Sequence, residues 1–423
     1  MDKTDERYGA YVHLLTDELR PAMGCTEPIA VAYACARARQ LLGSIPDRVE
    51  LAVSGNIIKN VKSVVVPNTG GKKGLRASVA AGVVAADAQA ELQCLSRLDD
   101  KDRQALEAYL KRDCIRVDVA DSGRVFDVDV TVYAGTDSAR VRIADAHTNV
   151  VHMSRNGEIL LDTPLADAAD RPEESLLTVE GIVEFADTVD LDDVRKPLQQ
   201  QIRLNTAIAD EGLRAGYGAS IGRVLLHAYG DGDVKIRAKA RAAAGSDARM
   251  SGCELPVVIV SGSGNQGITA CVPVVEYAAT YAVDEDRLLR ALVISNLLTV
   301  HQKTGIGRLS AFCGAVNAAC GAAAGIAYLM GGGLREVSHT LVNALAVVSG
   351  MVCDGAKPSC AAKIAAALDA GLMGYEMFRN GFQFYSGDGL IKKGVENTIG
   401  NIARLGSKGM SETDREILRM MIE

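Results

Sequence analysis

Tryptophan is absent from this chain, and aromatic residues together make up only 4 % of it. A core built on large aromatic anchors is therefore excluded. The 42 glycines, and the heavy use of alanine in the C-terminal half, point to helices packed closely through small side chains. Positive charge is also short. Lys and Arg number 46 against 53 Asp and Glu, a formal net charge of −7, and no basic cluster stands out. A nucleic-acid partner thus lacks its electrostatic footprint. The opening MDKTDERYGAYVHLL has acids where a secretion signal needs a basic and then an apolar stretch, so a cytoplasmic location is expected. Long apolar runs are nearly missing. The longest, Ala311 to Met330, is mostly Ala and Gly and carries Cys313, Asn317 and Cys320. A membrane span needs about 20 residues dominated by Leu, Ile or Val, so a buried helix and no membrane partner are expected. No internal repeat, low-complexity tail, GxSxG elbow, HExxH, Walker loop or kinase set occurs.

What is present is enough chain, 423 residues, for two or three domains. The pattern predicts helices over 8–20, 27–42, 77–93 and 101–112, with a strand at 49–54. Segments 115–119, 125–133 and 139–143 alternate as antiparallel strands, continued by 147–153 and a hairpin at 156–160. The acidic, Pro-containing stretch 162–175 is the linker candidate. Beyond it helices follow at 179–188 and 191–216, then a strand at 255–260, a helix at 268–283 and Ala-rich helices after 285. The expected class is α+β: an N-terminal α/β portion with a mixed or antiparallel sheet, then a mainly helical, Ala/Gly-rich C-terminal domain. Expected boundaries are 1–165 for the α/β domain, 166–245 for a helical connection and 246–423 for the mainly helical domain.

Ten cysteines without a secretion signal argue for metal or catalytic roles over a disulfide framework. Five of them, Cys271, Cys313, Cys320, Cys353 and Cys360, lie within 90 residues. In GMVCDGAKPSC, Cys353 ends an apolar helix and Cys360 opens the next, with Gly355 and Pro358 forcing a tight connection. Cys313 and Cys320 stand seven residues apart, on one helix face. A turn holding two thiols beside a helix carrying a third suits a cluster anchored by three thiolates, with one iron open to substrate. Buried packing cysteines give the same pattern, and Cys271 and Cys320, in plain apolar helix contexts, fit that reading better.

In PAMGCTEPIAVAYA, Thr26 is the expected N-cap of a helix that Glu27 and Pro28 open. Cys25 would then feel the positive helix end, which favours its thiolate. The glycines of SGSGNQG at 261–267 satisfy GxGxxG. The acids about 20 residues on, Asp284 to Asp286, start a helix where a second parallel strand should lie, which weakens a dinucleotide reading. A helix-start loop with amides from Asn265 and Gln266 suits a small anion such as a substrate carboxylate. Ser54, Asn56, Lys59 and Asn60 follow a strand and form a plausible site edge. His147 and His152, five apart on a strand, face opposite ways and cannot chelate one ion. Arg249 can pair with a carboxylate, as surface arginines also do.

GCTEP at 24–28, SDARMSG at 246–252, SGSGNQGI at 261–268, LSAFCGA at 309–315 and GMVCDGAKPSC at 350–360 together resemble the L-cysteine desulfidase family. That family is related to the α-domain of bacterial iron–sulfur L-serine dehydratases. The motifs run in matching order from residue 21 to about 363. The resemblance implies a 4Fe-4S enzyme, independent of pyridoxal phosphate, that converts L-cysteine to pyruvate, ammonia and sulfide. It also implies cluster ligation by Cys313, Cys353 and Cys360, with Cys25 as catalytic thiol or an additional ligand. Thr26, Glu27, Asn56, Ser261, Gly262, Asn265 and Gln266 would serve the substrate, a small amino acid; a homodimer stays open. Three alternatives remain: an L-serine dehydratase with the same cluster, a small-molecule-binding homologue that has lost it, and a nicotinamide enzyme.

Overall fold

Residues 1–165, 172–307 and 309–422 are described by the computed structural model of the chain, a mixed α+β fold that is 59 % helical. Among the described residues eight strands are formed: β1 (Pro21–Met23), β2 (Arg48–Val53), β3 (Ile115–Val119), β4 (Asp127–Ala134), β5 (Asp137–Ala144), β6 (Val150–Arg155), β7 (Glu158–Asp162) and β8 (Pro256–Val258). The helices of the N-terminal portion are α1 (Glu6–Glu18), α2 (Thr26–Leu42), α3 (Gly55–Val61), α4 (Gly74–Val84) and α5 (Asp100–Leu110). Then follow α6 (Pro172–Ser175), α7 (Val179–Thr188), α8 (Arg195–Arg214), α9 (Ile221–Tyr229), α10 (Val234–Met250) and α11 (Gly264–Thr280). The last six are α12 (Glu285–Thr304), α13 (Gly314–Leu329), α14 (Leu334–Val348), α15 (Ser359–Arg379), α16 (Val395–Arg404) and α17 (Ser411–Ile422).

A six-stranded sheet runs in the order β3-β2-β4-β5-β6-β7. On β4, Val128, Val130 and Val132 alternate inward and are fully buried, and α2 covers that face. In the helical portion α13 packs against α11, α12, α14 and α15. Its small residues permit this. A Cβ at Gly321 would lie 2.6 Å from the Ser295 carbonyl oxygen of α12, and one at Gly371 of α15 would lie 2.8 Å from that of Ala319. Among the described residues no helix is long and apolar enough to cross a membrane.

Several local expectations need correction. β3 pairs parallel to β2, at the sheet edge, because α5 carries the chain back before it enters; within this sheet β2–β4 and the later pairs are antiparallel. The Ala-rich helix from 77 stops at Val84, since the Asp87 carboxylate caps Gln89 N and starts a separate 3-10 turn at Ala88–Gln93. His147 sits in the turn before β6, with its ring 4.8 Å from that of Phe126, so only His152 is on a strand. The helix expected over 191–216 is split at Val194, where a short 3-10 turn gives way to α8. Part of the linker candidate, 166–171, lies outside the described residues.

One small sheet decides where the site forms. β1 pairs antiparallel with β8, Ala22 opposite Val257, tying the start of α2 to the start of α11.

Candidate active site

Immediately after β1, Gly24 takes φ +57 and a Cβ there would overlap the Pro67 ring at 2.2 Å, so only glycine admits this turn. Cys25 follows as the residue before the first turn of α2, and its side chain makes no capping bond. Thr26 is therefore not the cap. It is the first helical residue, and its hydroxyl donates to the Gly262 carbonyl oxygen at 2.9 Å, bracing α2 against the 261–267 segment. Cys25 Sγ donates to Glu27 Oε2 at 3.0 Å, and Asn60 Nδ2 of α3 donates to Glu27 Oε1 at 3.2 Å. The expected thiolate at this helix start is not supported. Burial pushes the Cys25 thiol well above its usual value, and the neighbouring Glu27 carboxylate pushes it further, outweighing Arg249.

The other three thiols come from two loops stitched together. Cys313 N donates to Met351 O at 3.0 Å and Cys353 N to Ala311 O at 2.6 Å, around a Phe312–Val352 bridge. Cys313 precedes α13 and Cys360 lies in the first turn of α15. Cys353 is in the loop itself, because α14 ends at Val348. Gly355 holds the loop with φ +92, and a Cβ there would meet the Lys59 carbonyl oxygen at 2.3 Å. Burial raises the Cys313 thiol to about 12, Cys353 adds to this, and Lys363 opposes it. Burial also raises Cys360, again with Cys353 adding and Lys357 and Lys363 opposing. The three thiols thus lie within one another's electrostatic reach. Asp354 orients both lysines. Burial pushes its carboxyl up, but their hydrogen bonds win and hold it down to about 2.

Cys25 packs with Met250, Val64, Ala356 and Cys360. All four cysteines line one cavity of about 100 Å³, together with Glu27, Asn60, Arg249, Asn265 and Gln266. Asn265 and Gln266 belong to the first turn of α11, which begins at Gly264, four residues earlier than the pattern suggested. Gly267 makes this possible, since a Cβ there would lie 1.9 Å from the Val258 carbonyl oxygen. Asn56 and Ser261 stand elsewhere. They line a larger cleft of about 1200 Å³, whose walls share Lys303, Leu309 and Ser310 with the small cavity. Gly262 contributes its carbonyl to Thr26. Cys271 and Cys320 are buried within α11 and α13 and line neither space. Arg249, set aside in the sequence as a surface residue, is buried at the end of α10. Its neighbours Ala242, Ala243, Ala244, Gly245 and Ala248 were the available signal, because an arginine in so small and apolar a run has to be buried for a reason.

Three thiols on one cavity wall are donors of the kind that an iron–sulfur cluster takes. Among the described residues no three His, Cys, Asp or Glu side chains converge as ligands of one metal ion.

A family model described as serine dehydratase alpha chain matches residues 75–419. That span holds Arg249, Asn265, Gln266 and the three loop cysteines, and leaves out Cys25 and Glu27. A UPF0597 protein of Desulfitobacterium hafniense (strain Y51) is 56 % identical over 424 residues, covering 100 % of this chain and 98 % of its own. One of Lachnoclostridium phytofermentans is 45 % identical, covering 98 % of this chain and all of its own, and one of Treponema denticola is 42 % identical over 100 % and 99 %. Those names state no activity. With a family match over most of its length and relatives this similar end to end, the chain belongs to the serine dehydratase alpha chain family and, within it, groups with the UPF0597 proteins.

Proposed function

We propose that this chain is a cytoplasmic, 4Fe-4S-dependent lyase, independent of pyridoxal phosphate, that converts L-cysteine and water to pyruvate, ammonia and hydrogen sulfide. The observation that carries this reading is the gathering of Cys25, Cys313, Cys353 and Cys360 on one small cavity. Cys313, Cys353 and Cys360 would hold the cluster. Held by three protein thiolates, such a cluster would have an iron open to substrate and would supply Lewis acidity toward the β-substituent.

The remaining work falls to the chain's own groups. The Cα proton needs an acceptor, and Cys25 as it stands holds its own proton on Sγ. Glu27 Oε2 accepts from that sulfur at 3.0 Å, so the hydrogen-bonded Cys25–Glu27 pair, with the carboxylate as its basic partner, is the group on the cavity wall placed to receive the Cα proton. Asn60 fixes the direction in which Glu27 points. Phe312, Ala315 and Ile364 supply apolar wall, which limits water beside the reacting carbons. Loss of the Cα proton and of sulfide leaves aminoacrylate, which tautomerises and takes up water to give pyruvate and ammonia.

A second reading, L-serine dehydration at the same site, is favoured by the family description. The two differ in the leaving group, and soft thiolate suits iron–sulfur iron better than hydroxide does. Anaerobic reconstitution followed by parallel sulfide and pyruvate assays on both amino acids decides between them. L-Cysteine is expected to give equal amounts of sulfide and pyruvate, faster than L-serine gives pyruvate. Colourless protein that takes up no iron would reject the cluster, and sulfide without pyruvate would reject β-elimination.

A further inference from the structure

The small cavity contains three buried polar groups that the fold does not use. Arg249 is 2 % exposed and Gln266 4 %. Among the described residues the Arg249 Nε, the Asn265 Oδ1 and the Gln266 Oε1 have no hydrogen-bond partner, and all three side chains line the same cavity. A buried donor or acceptor left unmade is costly, and three in one place call for a ligand. Two glycines admit them. A Cβ at Gly264 would lie 2.4 Å from Arg249 Nε, and one at Gly314 would lie 2.7 Å from Gln266 Cδ.

The complement is specific. A guanidinium edge is a donor of positive charge and suits a carboxylate. Two amide oxygens are acceptors and suit an ammonium. A zwitterion with one carboxylate and one ammonium on the same carbon satisfies all three. From this we propose that Arg249 binds the α-carboxylate of the substrate while Asn265 and Gln266 bind its α-ammonium, with Gly264 and Gly314 keeping the space that lets them reach. This rests on the lyase reading for the identity of the site, and it restricts the substrate to free α-amino acids, excluding amines and peptide-bound residues.

L-Alanine tests it, because it carries both charged groups and has no leaving group, so its binding does not depend on elimination. Ethylamine serves as the counterpart without a carboxylate. Calorimetry on anaerobically reconstituted protein is expected to show L-alanine binding at least about 10-fold tighter than ethylamine. Arg249→Gln should weaken L-alanine by about 10- to 100-fold, leave ethylamine unchanged and keep the iron content. Gln266→Ala should weaken both ligands. If Arg249→Gln does not fold, Arg249→Lys and Gly264→Ala are expected to weaken L-alanine in the same sense. Unchanged L-alanine binding in the variants overturns the proposal. So does loss of iron from Arg249→Gln, which would make the arginine a partner of the cluster rather than of the substrate. Arg249-dependent L-alanine binding in a protein that forms no pyruvate would reject the lyase and keep the clamp. Pyruvate formation with an unaltered KM in Arg249→Gln would do the reverse.

Discussion

Glu27 is the residue on which the chemistry of Cys25 turns, since it accepts from Cys25 and is itself held by Asn60. Glu27→Gln keeps the shape but removes the basic carboxylate of the pair. The expected result is a kcat lowered by about 100-fold with KM and iron content unchanged, measured by pyruvate release. A second titrating residue lies just behind Arg249. Asp247 is fully buried, its Oδ2 accepts from Ile221 N at 2.6 Å at the start of α9, and its Oδ1 has no partner among the described residues. Burial raises its carboxyl to about 6, against backbone hydrogen bonds that lower it. Because the folded value exceeds the unfolded one of 3.8, the folded chain holds this proton after the unfolded chain has released it. The resulting stability is complete below about pH 4 and is lost as pH rises through 6. Asp247→Asn keeps an acceptor for Ile221 N without a buried charge. It should raise the melting temperature at pH 8, and the difference from wild type should close by pH 4.

At the scale of elements, the loop from Cys353 to Cys360 depends on parts of the chain far from it in sequence. Its Gly355 rests on the carbonyl of Lys59 in α3, and the buried Lys59 ammonium is paired with Asp414 of α17. Gly355→Ala would need both a left-handed backbone and a Cβ 2.3 Å from that oxygen. It should destabilise the fold by about 2 kcal/mol or more in urea melts and abolish iron uptake, whereas Gly381→Ala, with φ +83 and open space around it, should cost about 1 kcal/mol and leave iron uptake intact. The glycine and proline of GMVCDGAKPSC announced a tight turn in the sequence, and α15 does begin at Ser359. What could not be read there was the α3 carbonyl beneath it. The alternating Val128, Val130 and Val132 made β4 legible in the same way, while β3 was misread because pairing direction depends on the route of the connecting helices and not on the strand's own residues. For Arg249 and for the early start of α11 at Gly264, the deciding contacts are again between distant segments, Arg249 against Gly264 and Gly267 against Val258.

Across the whole molecule, the pairing of residues 21–23 with 256–258 is what converts dispersed short motifs into one cavity, bringing the N-terminal Cys25 to the loops at 313 and 353–360. The same assembly leaves the larger cleft beside the small one, between the turns at 122–126 and 145–149 of the sheet and the segment 406–415. The Ser310 hydroxyl on their common wall donates to Gly406 O at 2.9 Å and accepts from Phe312 N at 3.0 Å, so that wall is tied both to the C-terminal segment and to the residue before Cys313. Leu309 stands beside it on the same wall, is partly exposed, and makes none of these bonds. If substrate reaches the thiols from the larger cleft, a bulky side chain at 309 narrows the way in without touching the cluster ligands. Leu309→Trp is then expected to lower kcat/KM by about 10-fold or more for L-cysteine and L-serine alike, at unchanged iron content, because a shared approach is obstructed ahead of any discrimination between leaving groups. Equal kcat/KM in the variant and the wild type would mean that the two spaces share a wall but not a passage.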